Sequence, residues 1–352
     1  MDSFYKGKCV LVTGHTGFKG AWMCQVLVKL GAKVVGYSLE PPTKPSLFEL
    51  SGIESKITSV IADIRDYDCL LQTIYHYKPE IVIHMAAQPL VGVGYENPRM
   101  TYQVNVMGTV NLLEAVRVSG LVKSVVNVTT DKVYLNNEWC WGYRESERLE
   151  GYDPYSNSKS CSELVTHCYS RCFPRESLAI STVRAGNVIG GGDFTNPRLI
   201  PDCMRAALSN DVVRIRNPKS TRPYQHVLEP VVAYLLIAMK QYQDASFSSS
   251  YNVGPEDHSC VTNETLVKMF CQTWGSLSYE IVGNGNSPHE ANYLKLDISK
   301  IKSVFGWRPV WDVQVAIGKT IEWIKAYRDG EDLSILMNAQ IDDYFNECVD
   351  IL

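Results

Sequence analysis

Short apolar runs and amphipathic segments alternate along the first half of the chain. The apolar runs are rich in valine and isoleucine, and they fill positions 8–13, 33–37, 57–62, 81–85, 124–128 and 178–184. Segments with helical spacing of apolar residues lie between them, at 21–30, 67–77, 99–119 and from 155 onwards. Apolar residues follow one another within the runs, which is typical of a parallel sheet covered by helices on both faces. The pattern therefore predicts a doubly wound, parallel α/β fold.

A glycine-rich turn connects the first predicted strand to the first helix. Its sequence is GHTGFKG at positions 14–20. Glycine at this spacing permits a tight turn and lets the backbone approach a pyrophosphate, while the start of the helix offers free N–H groups to the phosphates. After the first strand of an alternating chain, the motif predicts a Rossmann-type dinucleotide site. The residues expected to contact the cofactor are Gly14, Thr16, Gly17, Phe18 and Gly20.

Polar residues follow two later strands. In a parallel sheet of this kind, ligands bind at the carboxyl ends of the strands. The residues placed there are Ala86, Ala87 and Gln88 after the strand at 81–85, and Thr130, Asp131 and Lys132 after the strand at 124–128.

Tyr155 and Lys159 lie four residues apart at the start of a helix, so they share one face of it. Asp153 is a candidate N-cap, and Pro154 takes the first helical position. A cationic amine beside a phenol favours the phenolate, so we expect the pKa of Tyr155 to be lowered. Such a phenol is a general base for a sugar or alcohol hydroxyl.

The pattern changes after position 186. A flexible GGGD segment at 190–193 is followed by shorter, mixed elements: a strand at 212–216, a basic and aromatic loop at 222–226, a helix at 230–241 and a strand at 251–253. Helices at 263–274 and 313–327 come next. We expect a Rossmann-type domain at 1–186, with 227–255 returning to it. A smaller mixed α/β substrate lobe would comprise 187–226 and 256–352.

Composition excludes several classes of partner. The 352 residues carry a formal net charge of −4 with no dense basic block, which argues against nucleic acid and anionic membranes. The longest apolar run, 231–239, is too short to span a bilayer, and no signal peptide is evident. Eleven scattered cysteines without a Cys-x-x-Cys pair fit a reducing cytoplasm. Cys161, Cys168 and Cys172 with His167 could suggest a metal, but burial along one helix face is the favoured interpretation, so we expect no metal.

Taken together, these residues resemble the extended short-chain dehydrogenase/reductase superfamily, and more narrowly the CDP-glucose 4,6-dehydratase family. The resemblance covers nearly the whole chain. The runs that carry it are 14–20, 40–49, 86–91, 130–132, 151–159, 183–193, 222–230 and 288–297. Some positions depart from the family pattern. Gly92 replaces an arginine, Gly94 and Thr130 replace serines, and Phe194 and Tyr224 replace tryptophans.

The resemblance implies 4,6-dehydration of a nucleoside diphosphate glucose, most closely CDP-D-glucose, with tightly bound NAD. Tyr155 would take the proton of the 4-hydroxyl, which Thr130 would also hydrogen-bond, and Lys159 would assist Tyr155 and hold the nicotinamide ribose. Asp131 would be the acid and Lys132 the base for loss of water across C5–C6. An ion pair of Asp131 and Lys132 that only shapes the loop stays open as an alternative.

The resemblance also favours NAD over NADP, with Asp63 and Ile64 flanking the adenine. A sugar diphosphate demands cations, and planar guanidinium groups suit phosphate. The candidate substrate contacts are Gln88, Asn187, Arg198, Arg214, Arg222, His226 and Tyr293, with Arg184 the arginine most suited to a structural role and His289 and Glu290 as weaker candidates. His15 fits packing better than catalysis.

By analogy, the helices at 99–119 and 155–173 would pair between subunits in a homodimer or homotetramer. Two other functions remain open from sequence. A nucleotide-sugar 4-epimerase needs Tyr155, Lys159 and NAD but no acid/base pair, so Asp131 and Lys132 favour the dehydratase. A dinucleotide-binding regulator without catalysis would need neither Tyr155 nor Lys159.

Overall fold

A seven-stranded parallel sheet forms the centre of the computed structural model, which describes residues 1–173, 178–282 and 293–348. At the middle of the sheet, strands β1 (Cys9–Thr13) and β4 (Ile81–His84) lie side by side, and the strand order reverses there. Such a reversal opens a crevice at the carboxyl ends of the strands. In order across the sheet, the strands are β11 (Ser250–Val253), β6 (Ala179–Ala185), β5 (Ser124–Val128), β4 (Ile81–His84), β1 (Cys9–Thr13), β2 (Lys33–Ser38) and β3 (Thr58–Ile61).

Helices cover both faces of this sheet. Successive residues of one strand enter opposite cores: Val10 and Val12 pack on one face of β1, whereas Leu11 packs on the other. The predicted doubly wound parallel fold is therefore confirmed. The helices are α1 (Asp2–Tyr5), α2 (Phe18–Lys29), α3 (Leu47–Leu50), α4 (Tyr67–Tyr77), α5 (Val91–Glu96), α6 (Pro98–Tyr102), α7 (Gly108–Ser119), α8 (Pro154–Cys172), α9 (Leu199–Ser209), α10 (Leu228–Gln243), α11 (Asn263–Trp274), α12 (Ser299–Phe305), α13 (Val313–Asp329) and α14 (Leu333–Glu347).

The long helix predicted at 99–119 is confirmed, and it contains a feature that the sequence did not predict. A π-helical turn at Gln103–Met107 lies between α6 and α7 within the continuous helical segment. The extra residue in such a turn re-aims side chains. Here Asn105 accepts a hydrogen bond from the Gln88 backbone N–H at 2.8 Å and donates one to the Gln88 carbonyl at 3.1 Å. The turn therefore ties this helix to the segment that follows β4.

Three short strand pairs lie outside the seven-stranded sheet. They are β7 (Val188–Ile189) with β10 (Gln225–His226), β8 (Val213–Ile215) with β13 (Tyr279–Ile281), and β9 (Thr221–Pro223) with β12 (Cys260–Thr262). The loop predicted at 222–226 is thus wrong, because β9 and β10 find partners far away along the chain. The structure also contains α9, α12 and α14, which the sequence pattern did not predict.

No helix in the described part of the chain is long and apolar enough to cross a membrane. Within the same residues, no three His, Cys, Asp or Glu side chains form a group that could hold a metal ion. All eleven cysteines are described, and each is a free thiol.

Candidate active site

A cavity of about 1540 Å³ opens at the carboxyl ends of the strands, where β1 and β4 lie side by side. This volume exceeds that of a typical pocket for one small ligand. It brings together most of the residues that the sequence singles out. The predicted residues that line it are Gly14, Thr16, Gly17, Phe18, Gly20, Asp63, Ile64, Ala86, Ala87, Thr130, Asp131, Lys132, Tyr155, Lys159, Asn187, Arg198, Arg214 and Arg222.

The glycine turn needs its glycines for close approach. Gly14 has φ +76°, and a Cβ there would lie 2.9 Å from the Ala86 backbone nitrogen. A Cβ on Gly20 would lie 2.1 Å from the Gly14 carbonyl oxygen. Gly17 is the N-cap of α2 and brings no side chain to cap the helix, so the first N–H groups are open to a ligand. The turn therefore fits a pyrophosphate.

Polar groups at the ends of β2 and β3 form another part of the cavity wall. The Thr16 hydroxyl lies 2.9 Å from the Ser38 hydroxyl and donates to the Leu39 carbonyl at 2.9 Å. Arg65 donates to both carboxylate oxygens of Asp63 at 2.6–3.0 Å. Hydrogen bonding to Arg65 lowers the pKa of Asp63, against a smaller opposing effect of burial. These hydroxyl and carboxylate groups suit the ribose and adenine of a dinucleotide.

Thr130 and Asp131 lie just beyond β5 in a short 3₁₀ turn. Asp131 is 2% exposed, and its Oδ1 accepts a hydrogen bond from the Thr130 hydroxyl at 3.0 Å. Its Oδ2 is buried and has no hydrogen-bond partner among the described residues. Burial raises the pKa of Asp131, although the charge of Lys132 opposes the rise. A buried carboxyl that holds its proton can act as a general acid.

Tyr155 and Lys159 lie on one face of α8, which begins as predicted with Asp153 as its N-cap and Pro154 at the first position. Both side chains are buried. The predicted lowering of the phenol pKa is wrong for this structure: burial raises the pKa of Tyr155 to about 12, against the opposing hydrogen bond with Thr130. The Lys159 ammonium donates to the Val128 carbonyl at 3.1 Å, and burial lowers the pKa of Lys159 to about 8.

The two glycines of α5 that depart from the family pattern have different surroundings. A Cβ on Gly94 would lie 3.1 Å from the Tyr155 backbone nitrogen and 3.3 Å from its Cβ. A Cβ on Gly92 would meet no atom of the described residues within 4 Å, and Gly92 lines the cavity. Gly94 therefore lets α5 pack closely on the start of α8, whereas Gly92 leaves space.

The three predicted arginines in the cavity differ in burial. Arg222 is 1% exposed, and its charge lowers the pKa of Asp131, which sets it beside the catalytic candidates. Arg198 forms an ion pair with Asp193 at 3.1 Å. Arg214 is 60% exposed at its side chain. Arg198 and Arg214 are therefore better placed to meet a ligand that enters from solvent.

In the described part of the chain, Gln88 does not line the cavity. Its Nε2 donates to the Thr101 hydroxyl at 2.9 Å, and its Oε1 accepts from the Leu90 backbone at 2.6 Å. Both ends of the amide are therefore engaged in holding the chain after β4. The predicted contact of Gln88 with a ligand stays a prediction, and the structure gives the side chain a structural role.

Two histidines are also packed away from the cavity lining. His226 is fully buried between Trp22 and Trp311, and burial lowers its pKa to about 3. The structure therefore gives His226 a packing role, and its contact with the substrate stays a prediction. His15 bonds Ser59 at 2.7 Å, and its ring fills the space above Gly36. It packs the glycine turn against β2 and β3.

Tyr293 is the third predicted residue outside the described cavity lining. Its carbonyl accepts from Asn136 at 3.0 Å, and the Lys295 ammonium lies 5.4 Å from its ring centroid. The Lys295 ammonium therefore lies near the ring, and contact of Tyr293 with the substrate stays a prediction. His289 and Glu290 lie outside the described residues.

Sequence reasoning missed three cavity residues. The ammonium of Lys19, within the glycine motif, lies 5.7 Å from the ring centroid of Tyr234. Burial and the nearby cations lower its pKa to about 8. Tyr224 donates to Asn263 at 2.5 Å, and both side chains line the cavity. A lysine inside a phosphate-binding turn was a usable signal, whereas nothing in the sequence joins Tyr224 to Asn263.

Comparison with known proteins finds relatives that cover most of the chain. Over 351 residues, the chain is 48% identical to a CDP-glucose 4,6-dehydratase from Salmonella typhimurium, covering 98% of both chains. It is 25% identical to a dTDP-glucose 4,6-dehydratase from Xanthomonas campestris, covering 89% of this chain and 92% of that protein. The fold matches a UDP-glucose 4-epimerase from Stenotrophomonas maltophila solved with bound NAD, with a TM-score of 0.81, 23% identity and coverage of 92% and 99%.

The sequence profile of one family, described as GDP-mannose 4,6 dehydratase, matches residues 11–320. This match spans most of the chain, and the resemblance noted from the sequence motifs is confirmed by the 48% identical relative. The chain belongs to the GDP-mannose 4,6 dehydratase family.

Proposed function

We propose that the chain is an NAD-dependent hydro-lyase that converts CDP-D-glucose to CDP-4-dehydro-6-deoxy-D-glucose and water. The observation that carries the reaction type is the meeting of a phenol, a hydroxyl and a buried carboxyl in one cavity: Tyr155, Thr130 and Asp131. A 4-epimerase would not need the third group. The choice of CDP-D-glucose rests on the 48% identical relative, a CDP-glucose 4,6-dehydratase.

Oxidation at C4 is the task of Tyr155. Its phenol oxygen accepts the proton of the 4-hydroxyl, and Thr130 hydrogen-bonds the same oxygen of the sugar. When bound, NAD supplies a hydride acceptor for C4, a hydride donor for C6 and, in its oxidised form, a positive charge. Lys159 lies one helical turn beyond Tyr155 and adds a second positive charge that favours the phenolate. The glycine turn and the hydroxyls of Thr16 and Ser38 hold the cofactor.

Elimination across C5–C6 needs an acid and a base. The ketone at C4 acidifies the C5 proton, which Lys132 removes as the base. Asp131 donates its proton to the departing 6-hydroxyl, which leaves as water. The raised pKa and the unpartnered Oδ2 of Asp131 support this role. Hydride return to C6 and delivery to C5 of the Lys132 proton, which has exchanged with solvent, form the product. Transfer of a proton from Tyr155 to Asp131 through solvent restores both side chains, so the cofactor and the site are unchanged overall.

Arg198, Arg214 and Arg222 provide cations for the substrate diphosphate, with Asn187 as a polar contact. Arg214 and Arg198 are the more exposed, and we assign them to the phosphates first. Arg222 is buried beside Asp131 and would hold the sugar end of the diphosphate. Replacement of Arg214 by alanine should raise KM with little change in kcat, because the interaction is equal in ground and transition states.

Incubation of the purified protein with CDP-, dTDP-, GDP- and UDP-hexoses tests the proposal directly. A product with the alkaline ultraviolet absorbance of a 4-keto-6-deoxy sugar is expected from CDP-D-glucose. Conversion of a glucose nucleotide to its galactose epimer, with no such product, would assign the chain to the 4-epimerases. Turnover of dTDP-glucose in preference to CDP-glucose would keep the reaction but correct the substrate.

The role of Lys132 has its own test. Lys132→Ala should still oxidise C4 but should no longer exchange solvent deuterium into C5. Lys132→Arg keeps a cation without an accessible neutral form and serves as the matched control. If Lys132→Ala retains full turnover, Lys132 only shapes the loop beside Asp131.

The surface of α6, α7 and α8 supports a homodimer, which could double to a tetramer. Met107 in the π-helical turn, Val118 on α7 and Leu164 on α8 are 42–55% exposed, and a dimer interface on these helices would cover them. Sedimentation of the wild type and of Leu164→Arg measures the assembly, and only the variant should be monomeric. The eleven free thiols support a cytoplasmic location. The division into a cofactor domain (1–186 and 227–255) and a substrate lobe is part of the proposal.

A further inference from the structure

Behind the catalytic candidates, Glu163 forms the most densely bonded buried carboxylate of the described site. Tyr155, Lys159 and Glu163 follow one another at intervals of four residues, so they lie on one face of α8. Glu163 is 0% exposed. It lies one helical turn from Lys159, on the side away from Tyr155. The Lys159 ammonium donates to the Val128 carbonyl and the Glu163 carboxylate accepts from Thr129, so the two charges contact adjacent residues of the chain.

Four donors converge on the Glu163 carboxylate. Arg184 donates through Nε at 3.0 Å and through Nη2 at 2.8 Å, and Thr182 donates at 2.6 Å. Thr129 donates the fourth hydrogen bond. Burial opposes ionisation, but the charge of Arg184 and these hydrogen bonds outweigh it and lower the pKa of Glu163. The carboxylate is therefore charged at neutral pH.

The same carboxylate ties together the elements that carry the site. Thr129 immediately precedes Thr130, and its backbone N–H donates to the Val183 carbonyl at 2.8 Å. Arg184 lies on β6 and also donates to the Tyr134 hydroxyl at 2.8 Å. One buried anion thus joins α8, the end of β5 and β6. A buried ion pair such as Arg184–Glu163 contributes little net stability. A role in positioning the site is therefore a better explanation for this pair than stability.

We propose that Glu163 is a positioning residue that holds Lys159 protonated next to Tyr155 through the catalytic cycle. The inference rests on the proposed function, but the effect of Glu163 on the protonation of Lys159 can be measured without a substrate. Burial lowers the pKa of Lys159 to about 8, and Glu163 is the group that opposes this effect. Without Glu163, Lys159 would lose its proton at lower pH, and the phenolate of Tyr155 would lose its supporting charge.

Other titratable groups also face these residues. Around Lys159 are Tyr155, Lys19 and His84, and burial keeps His84 neutral by lowering its pKa to about 3. Around Glu163 are Arg184, Tyr134 and His167. Burial lowers the pKa of His167, so it adds little positive charge above neutral pH. Glu163 is thus the anion in this set that faces Lys159.

Glu163→Gln keeps the size of the side chain and removes its charge. The alkaline limb of the kcat–pH profile should move to lower pH by about one unit, as expected for loss of a nearby opposite charge. A purely structural role would lower kcat at every pH and leave the limb in place. That result, in folded protein, would overturn the proposal.

A second readout does not depend on turnover. The pH dependence of Lys159 acetylation by acetic anhydride, followed by peptide mass spectrometry, reports the fraction of neutral amine. The labelling midpoint should fall by about one unit in Glu163→Gln and by a smaller amount in Glu163→Asp, whose carboxylate is retracted. If the wild type proves inactive on sugar nucleotides but the midpoint shifts, the proposed function fails and the electrostatic inference stands.

Two control variants complete the experiment. Thr182→Val removes a donor to Glu163 without removing charge and should leave the midpoint nearly unchanged. Glu229→Gln removes another fully buried carboxyl, on α10, and should leave both the midpoint and the kcat–pH limb unchanged. Should Glu163→Gln fail to fold, Glu163→Asp decides the matter. An unshifted midpoint in that variant would then contradict the proposal.

Discussion

Two buried carboxyl groups meet the same edge of the sheet and differ in almost every other respect. Asp131 follows β5 in the cavity wall and has one oxygen without a hydrogen-bond partner among the described residues. Glu163 lies behind the wall on α8 and receives four hydrogen bonds, two of them from Arg184. Burial raises the pKa of Asp131, whereas Arg184 and the other donors lower that of Glu163.

The comparison shows that burial alone does not fix the charge of a carboxyl group. Burial opposes ionisation at both positions, and the number and charge of the donors decide the outcome. Glu229 is an intermediate case. It receives three hydrogen bonds, from Val310, Trp311 and Tyr344, but none from a cation. Burial raises its pKa to about 7 despite these bonds. Hydrogen bonds donated directly by a cation, Arg184, are what separate Glu163 from the other two.

The largest effect is expected on turnover at Asp131. Asp131→Asn keeps the shape but cannot donate an acidic proton, so kcat should fall by roughly 10³-fold. Oxidation at C4 should survive as a slow, observable partial reaction. Protein stability should change by less than about 1 kcal/mol, because the variant removes a group whose charged form is disfavoured by burial. Steady-state kinetics and urea denaturation measure the two effects, and a large loss of stability would identify a structural carboxylate instead.

Glu163→Gln should lose more stability and less activity than Asp131→Asn. The free energy of unfolding should fall by about 3 kcal/mol, because the variant leaves the buried Arg184 guanidinium without a counter-charge. Its kcat at neutral pH should fall less than that of Asp131→Asn. Denaturation of both variants under the same conditions gives the comparison. Equal stability losses would show that the two carboxyls are not distinguished as described.

The raised pKa of Glu229 predicts that the stability of the folded protein depends on pH. Its folded-state pKa is about 7, above the value of an exposed glutamate, so the folded protein binds the proton more tightly than the unfolded chain. The stabilisation is fully present below the unfolded-state pKa and is lost as pH rises towards 7. Between pH 5.5 and 7, the contribution should decline by on the order of 2 kcal/mol. Glu229→Gln should remove this part of the slope, as thermal unfolding across that range would reveal.

Gly186→Ala tests the position of Asp131 Oδ2 without replacing Asp131 itself. A Cβ at this position would lie 3.1 Å from Asp131 Oδ2 and 2.4 Å from Pro223 Cγ. Turnover should fall by about 10-fold as the carboxyl shifts by a fraction of an ångström. Gly92→Ala is the control, because it adds the same methyl group to the cavity wall where space is open. Equal activities of the two variants would show that turnover does not depend on the exact position of the Asp131 carboxyl group.

The sequence predicted those parts of the site that depend on local order. Strand ends in a parallel sheet meet at one edge, so Gly14, Thr130 and Tyr155 could be assigned to one cavity before the structure was known. The N-cap at Asp153 is equally local. These features follow from chain direction and helical spacing alone.

Other features depend on distant partners and could not be predicted. Gln88 looked like a ligand contact, but a π-helical turn brings Asn105 to its backbone and the amide is engaged elsewhere. His226 lies in a motif that suggests a ligand, yet Trp22 and Trp311 bury it. The pKa of Tyr155 depends on burial, which the Tyr-x-x-x-Lys spacing does not reveal.

Hydrogen migration within the substrate tests the central claim most directly. CDP-D-glucose carrying deuterium at C4 should yield a 4-keto-6-deoxy product with that deuterium at C6, together with one solvent hydrogen at C5. Loss of the label to solvent, or its recovery at C4 of an epimerised sugar, would contradict the account.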